Sequence, residues 1–309
     1  MKPVYMINGF LESGKTEFIT YTLAQPYFQV RGKTLLILCE EGENEYDPAL
    51  LRQSRTVLEL IDGEEEFTPN RLIELEKKHK PERIIIEFNG MWNYKEMKLP
   101  WHWKIEQQIT TIDASTFPMY FTNMKSLLAE QIRKSELIIF NRCDGVEDLG
   151  SYKRNVKAIN PKAEIVFEDS NGEINEIMEE DLPYDLKAPV LELDNECYGI
   201  WYLDTMDHPE RYEGKTVSFV GMVLKPKQFP KNYFVPGRMA MTCCAEDMAF
   251  LGYACEYGQA AELEEQKWVK VTARVETSYF EQYQGEGPVL RALSVEHTRA
   301  PKEEIISFV

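Results

Sequence analysis

The sequence predicts an α/β domain with a parallel sheet and helices on both faces, followed by a small, mainly antiparallel and OB-like β domain. Three observations predict it. Residues 9–16, Gly-Phe-Leu-Glu-Ser-Gly-Lys-Thr, have the spacing of a phosphate-binding loop. Short apolar runs alternate with helical patterns up to the segment "AEIVFED", near residue 169. From about residues 181–190 helical periodicity fades, and short segments of period-2 alternation follow, separated by glycine and proline. The boundaries read this way are 1–183 for a P-loop NTPase domain and 190–309 for the β domain.

The elements follow in order. "PVYMING" is an apolar strand ending in Asn8-Gly9, and a helix continues from Lys15. Leu35–Cys39, Ile84–Ile86, "QQITTIDAS", "SELIIFNRCD" and "AEIVFED" are further strand runs, with helical patterns such as "RLIELEKKH" and "MKSLLAEQIRKS" between them. In the second part "GKTVSFVGMVLK", "GRMAMTCC", "WVKVTARVE" and "PVLRALSVEHT" read as strands. Val269, Val271, Ala273 and Val275 share one face.

Composition narrows the function classes. A chain of 309 residues accommodates two domains, each with its own core. A net charge of −17 argues against nucleic acid or an anionic membrane surface as a general partner. "MKPVYMINGF" lacks the basic region and long apolar core of a secretory signal, and no apolar run has the length of a membrane span. The cysteines, Cys39, Cys143, Cys197, Cys243, Cys244 and Cys255, are thinly spread and do not form a disulfide framework. A reducing cytoplasm and no membrane insertion are expected.

Phosphates need backbone N–H donors and a counter-charge. A glycine-containing turn between strand and helix supplies the donors, and the helix N-terminus adds its dipole. Gly9, Ser13 and Gly14 build that turn, Lys15 reaches the terminal phosphates, and Thr16 offers a hydroxyl to Mg²⁺. Glu12, at one of the unspecified positions, can point outward, although its charge works against anions. Glu87 ends a strand and precedes Asn89-Gly90, a place for a carboxylate near Mg²⁺ and a glycine near the terminal phosphate. Asn141-Arg142-Cys143-Asp144 ends another strand and is close to the Asn-Lys-x-Asp guanine reader. There the aspartate accepts hydrogen bonds from the base, and Arg142 can lie along its face.

In their order these stretches resemble the CobW-type GTPases, a P-loop group of metal-insertion and metallochaperone proteins. "INGFLESGKT", "LLILCEEGENEYD", "IIIEFNG", "TTIDAST", "AEQIRKSELIIFNRCD" and "VKAINPKAEIV" carry the resemblance across roughly residues 2–180. It implies GTP and Mg²⁺ as cofactors, with Glu40 and Glu87 aligning the ion or the attacking water. The family's Gly-Cys-x-Cys-Cys metal motif is replaced here by Gly63 followed by Glu64, Glu65, Glu66 and Phe67. Such residues alone cannot build a thiolate zinc site. Either the site is lost or it takes a harder ion, and charge runs favour an exposed acidic turn.

The second part resembles the soluble carboxy-terminal domain of the YcgQ-type proteins. Arg238, Thr242, Cys243, Cys244, Asp247, Trp268, Val269 and Val271 match its pattern. Cys243, Cys244, Asp247 and Cys255 are candidate Zn²⁺ ligands if the chain bends there. Neighbouring residues of a straight strand point apart, so packing of one cysteine as a small core residue is the favoured alternative. Trp92, Tyr94, Trp101, His102 and Trp103 form either an interaction surface or an aromatic-packed connection. His79, His102, His208 and His297 are scattered and make no metal pair.

The expectation is a GTP-binding and GTP-hydrolysing switch in metal homeostasis or metallocofactor assembly, slow without a partner. The alternative is a nucleotide-gated binding or metal-handling module with little or no hydrolysis. Expected partners are GTP, a metal ion, a client metalloprotein or permease, and a second copy of the chain.

Overall fold

The computed structural model describes residues 1–309 except 41, 43–44, 147, 175–181, 242–247 and 308–309. It divides the chain into two units, Met1–Met178 and Glu179–Val309.

The strands of the first unit are β1 (Lys2–Asn8), β2 (Thr34–Leu38), β3 (Thr56–Leu60), β4 (Arg83–Glu87), β5 (Trp103–Asp113), β6 (Leu137–Asn141), β7 (Glu164–Asp169) and β8 (Gly172–Glu173). They form one sheet in the order β3-β2-β4-β1-β5-β6-β7-β8, parallel except for the β7–β8 pair. The helices are α1 (Lys15–Ala24), α2 (Pro48–Gln53), α3 (Pro69–His79), α4 (Phe117–Asn123), α5 (Lys125–Ile132) and α6 (Leu149–Ile159).

Alternate residues of the central strands face opposite sides, and both sides are apolar. Val4, Met6, Ile84 and Ile86 pack with Leu72 and Leu75 of α3. Ile7, Leu36, Ile85 and Ile109 pack with Ile19 and Leu23 of α1. Continuous apolar runs are therefore needed, each buried side chain contributing about 1.5–3 kcal/mol before entropy is counted. Helix α3 starts cleanly because Thr68 accepts from Arg71 N at 3.3 Å and Pro69 occupies the first turn; Lys77, Lys78 and His79 complement its carboxyl end.

Strand β3 has no unbroken apolar run to mark it in the sequence. This edge strand carries Glu59 as its next-to-last residue, which interrupts the apolar run. The carboxylate accepts from Lys78 Nζ at 2.6 Å and pairs with His79 Nε2 at 2.5 Å, both from α3.

The second unit contains β9 (Leu191–Leu193), α7 (Asn195–Asp207), β10 (Thr216–Leu224), β11 (Tyr233–Met241), β12 (Met248–Gly252), β13 (Ala254–Glu256), β14 (Trp268–Phe280), β15 (Gly285–His297) and β16 (Ile305–Ser307). Pairing runs β10-β11-β13-β15-β14 and returns to β10, closing a five-stranded barrel. All its pairs are antiparallel except β13–β15, giving an OB-like Greek-key arrangement. Val269, Val271, Ala273 and Val275 are completely buried and fill the interior with Phe234 and Leu290.

Helix α7 falls where the sequence showed fading helical periodicity. Cys197, Tyr198, Trp201, Leu203 and Thr205 are all buried, so no single apolar stripe marks it. Its readable signal is Asp194, which accepts from Glu196 N and Cys197 N at 3.0 and 2.9 Å. Among the described residues no helix is long and apolar enough to cross a membrane.

Candidate nucleotide site

The sheet order places β4 on one side of β1 and β5 on the other, and the chain after Asn8 turns over their carboxyl ends. In open α/β sheets that crevice is where ligands collect. Residues 9–14 make the turn with positive φ at Gly9 (146°), Glu12 (61°) and Gly14 (94°). Gly14 is the N-cap of α1, and a Cβ there would lie 2.4 Å from Asn141 Nδ2. Both its conformation and that approach exclude other side chains. Glu12 is exposed. Ser13 is buried beneath the loop, where its Oγ meets Thr111 Oγ1 at 2.9 Å and its N–H donates to Phe10 O at 3.2 Å.

Lys15 is 3 % exposed. Its Nζ donates to the carbonyls of Gly9 and Phe10 at 2.9 and 2.8 Å and forms an ion pair with Glu40. Thr16 Oγ1 donates to Glu87 Oε1 at 2.8 Å, and Tyr46 Oη donates to Glu87 Oε2 at 2.5 Å. Burial pushes the Glu87 carboxyl above its ordinary range, although hydrogen bonds from Tyr46 and Thr16 oppose that. Burial likewise pushes the Tyr46 phenol up, with the Glu87 charge adding to it. Glu40, Glu87, Lys15, Thr16 and Arg142 line one open cleft of about 690 Å³.

The oxygens gathered here are a hydroxyl and two carboxylates. These are hard donors that suit Mg²⁺ through one or two carboxylates, and they do not suit a thiophilic ion. Gly90 follows Glu87 closely in sequence, and a Cβ on it would fall 2.4 Å from Gly9 O. The end of β4 is thus packed directly against the loop.

From the other side, Asn141 Nδ2 donates to Ser13 O at 2.7 Å. Arg142, at φ 55°, reaches back so that its Nη1 donates to Glu12 O at 2.7 Å and to Asp113 Oδ2 at 2.6 Å. Burial raises the Asp113 carboxyl, but hydrogen bonds from Ser115 and Arg142 outweigh it and hold the group below its usual range. Asp144 is exposed and outside the lining of the cleft. Its carboxylate accepts from Ser170 Oγ at 2.6 Å and from Ser170 N, which keeps its pKa below the ordinary value. Cys143 lies beneath the same loop, its thiol pushed up to about 11 by burial.

The structure therefore brings Gly9–Thr16, Glu40, Glu87, Asn141 and Arg142 together. Two further participants are Tyr46 and Asp113. Tyr46 sits in the polar stretch "GENEYD", where no periodicity singles out a buried phenol. Asp113 ends β5 at a recognisable place, but only its pairing with Arg142 gives it a role.

The metal candidates fall elsewhere. Cys243, Cys244 and Asp247 lie outside the described residues. Cys255, in β13, is completely buried in the barrel core, and burial raises its thiol far above the ordinary range. That environment disfavours a thiolate and matches the packing alternative. Glu64–Glu66 form an exposed single 3₁₀ turn, and Phe67 is buried in the core beside α3. Among the described residues no three His, Cys, Asp or Glu side chains are grouped to hold a metal ion.

Comparison with known proteins gives two family matches. Residues 3–167 match the CobW/HypB/UreG nucleotide-binding domain, and residues 169–306 match the DUF1980 C-terminal domain. No match appears among curated protein sequences. Solved structures similar to the chain include the hydrogenase maturation factor HypB from Archaeoglobus fulgidus, at 20% identity, covering 55% of this chain and 82% of that one, with a TM-score of 0.42. Another is the Zn(II)-bound YjiA GTPase from E. coli, at 17% identity, covering 81% of this chain and 94% of that one, also with a TM-score of 0.42.

Proposed function

Because the chain belongs, through residues 3–167, to the CobW/HypB/UreG nucleotide-binding family, we propose that it is a Mg²⁺-dependent switch that binds and hydrolyses GTP. Its role would lie in metal homeostasis or metallocofactor assembly in the cytoplasm. The observation that carries the reading is the Thr16–Glu87 hydrogen bond of 2.8 Å beside a buried Lys15. It joins the first helical turn after the loop to the carboxylate at the end of β4, where a hydrated Mg²⁺ and nucleotide phosphates need a hydroxyl, a carboxylate and a cation.

Each residue has a task in this reading. The α1 N-terminus and the loop N–H groups orient the phosphates. Lys15 exchanges the Glu40 carboxylate for phosphate oxygens, and the freed Glu40 aligns water or the ion. Thr16 and Glu87 would hold Mg²⁺, whose charge would offset that developing on the phosphates. Asn141 ties the base-reading loop to the phosphate loop, Asp144 accepts from guanine, and Arg142 flanks the base. Hydrolysis is slow without a partner. The carboxy-terminal unit is the module whose contacts the nucleotide state controls.

The test is calorimetric titration of the metal-free protein with GTP and ATP, with and without Mg²⁺, repeated with one equivalent of Zn²⁺. Mg²⁺-dependent preference for GTP supports the reading, and absence of nucleotide binding rejects it. A single-turnover measurement then separates a hydrolase from a module that only binds.

A further inference from the structure

Beyond the nucleotide cleft, the first unit carries a second concavity of about 720 Å³, and its chemistry is different. The floor is aromatic. Phe67, Phe88 and Trp92 meet edge to face, with centroids 5.7 Å (Phe67–Phe88), 6.1 Å (Phe67–Trp92) and 5.7 Å (Phe88–Trp92) apart. Trp92 and the neighbouring Met97 are only partly buried, so apolar surface is left open to the groove. The rim is acidic: Glu64 and Glu65 come from the 3₁₀ turn and Glu96 from the segment after β4. Among the described residues neither Glu65 nor Glu96 has an ion-pair partner. The two walls are joined where Asn93 N donates to Glu64 Oε1 at 2.8 Å, so the concavity is not a gap between independent loops.

We propose that this groove docks a lysine- or arginine-bearing segment of a partner protein. The long aliphatic stems of such side chains suit Trp92 and Met97, their cationic heads are attracted by ring faces, and the carboxylate rim supplies the opposite charge. A purely apolar segment would leave the rim without partners. An anionic one meets Glu64, Glu65 and Glu96 together with the overall charge of −17.

The groove is also wired to the nucleotide cleft. Phe88 directly follows Glu87, the last residue of β4, and Trp92 N donates to Asn89 O at 3.1 Å. Asn89 Nδ2 donates to Cys39 O at 3.3 Å, next to Glu40, and Gly90 rests on Gly9. A shift of Glu87 or Glu40 on nucleotide exchange therefore moves the backbone that carries the groove wall. This nucleotide dependence rests on the switch reading above, whereas the docking itself does not.

The test uses the full chain and two fluorescein-labelled ten-residue peptides, one alternating leucine and lysine and one alternating leucine and glutamate, read by fluorescence anisotropy. The lysine peptide is expected to bind, the glutamate peptide is not, and GTP is expected to change the affinity relative to GDP. Glu65→Gln with Glu96→Gln, and separately Trp92→Ala, should each weaken lysine-peptide binding at least tenfold while GTP affinity is unchanged. A control pair of equal charge, Glu262→Gln with Glu264→Gln, should leave it unchanged. Equal weakening in the control pair would mean that net charge alone attracts the peptide, and the proposal falls. It also falls if Mn²⁺ or Zn²⁺ titration shows one equivalent bound and lost in the Glu65/Glu96 variant, because the groove would then be an ion site. Loss of a dimer in sedimentation on Trp92→Ala would assign the face to a second copy and overturn it as well. Equal peptide affinity in GTP and GDP would keep the groove and remove its coupling to the nucleotide, whereas peptide binding by a wild-type chain that binds no GTP would keep the groove and reject the switch reading alone.

Discussion

Asn141 and Ser13 are 128 positions apart in sequence, yet Asn141 Nδ2 donates to the Ser13 carbonyl at 2.7 Å. One hydrogen bond thus connects the end of β6 to the phosphate loop after β1. Asn141→Ala removes the donor and leaves that carbonyl without it, at a cost of about 1–2 kcal/mol. GTP affinity should fall about tenfold if the Asn141–Asp144 segment reads the base as proposed, since it and the loop both lose their reference, on the scale of about 1.4 kcal/mol per decade. Thermal unfolding and titration calorimetry on the same protein check both figures. A loss of stability with unchanged affinity would limit Asn141 to a structural role.

Lys15 and Glu40 form a largely buried ion pair, with side chains 3% and 11% exposed. Removing one partner of such a pair leaves the other charge uncompensated, at a cost of about 3–5 kcal/mol where it cannot relax or protonate. Lys15→Ala should abolish nucleotide binding while circular dichroism stays unchanged. It should also lower the unfolding midpoint, and adding Glu40→Ala should recover part of that loss. Retained binding in Lys15→Ala would show that the loop is not the phosphate site. A double variant no more stable than the single would show that the pair is not coupled.

The Asp113–Arg142 contact makes a prediction about pH. Hydrogen bonds from Ser115 and Arg142 overcome the effect of burial and hold Asp113 below its ordinary 3.8. A carboxylate with a depressed folded-state pKa adds stability above its unfolded value and loses it as pH falls through the folded one. The contribution is therefore complete at neutral pH and disappears in strong acid, below 3.8. Asp113→Asn should flatten the acid limb of the stability curve and cost about 1 kcal/mol at pH 7, a modest figure because Arg142 is partly exposed. Chemical denaturation at several pH values measures it, and an unchanged acid limb would mean that the pair is solvent-screened.

What could be read from sequence follows from where the information is local. The loop, Glu87 and Asn141 each sit at the end of an apolar run, so strand and chemistry announce one another. Tyr46 cannot be recognised that way, because its partner Glu87 is 41 positions away and its own surroundings are polar. β3 is hidden by Glu59, whose charge is answered by Lys78 and His79 of α3. α7 was hidden for the opposite reason: it is buried on several sides and has no polar face to set its period. Val269, Val271, Ala273 and Val275 were legible because a closed barrel keeps strict inside–outside alternation.

Removal of divalent ions should separate the roles of Thr16 and Glu87. With EDTA, GTP affinity is expected to fall about a hundredfold or more, corresponding to about 2.7 kcal/mol. Glu87→Gln keeps the size of the side chain and the hydrogen-bond reach toward Thr16 but loses the charge, so it should lower affinity in Mg²⁺ and change little in EDTA. Thr16→Val should behave in the same way. Calorimetry with and without Mg²⁺ provides the comparison, and equal losses under both conditions would place these residues in packing, not in ion binding.

The turn Glu64–Phe67 gives the last prediction. Cysteines introduced at Glu64, Glu66 and Phe67 would restore the thiols of the family motif in sequence, but not in space. Phe67 is 7% exposed and its ring meets Phe88 and Trp92 at centroid distances of 5.7 and 6.1 Å, so its Cβ direction leads into the core. Glu64 and Glu66 belong to an exposed 3₁₀ turn, and Glu64 already holds Asn93 N. Replacing a buried phenylalanine by a much smaller side chain costs about 3–5 kcal/mol, with the lower end expected because cysteine retains more volume than alanine. A thiolate at position 67 would additionally be desolvated, which disfavours the ionised form that zinc needs. The triple variant should therefore melt earlier than the parent and bind Zn²⁺ weakly. Zinc titration followed by thermal unfolding decides it: tight binding with an unchanged midpoint would show that the turn can rotate residue 67 outward, and that acidic residues alone displaced the metal.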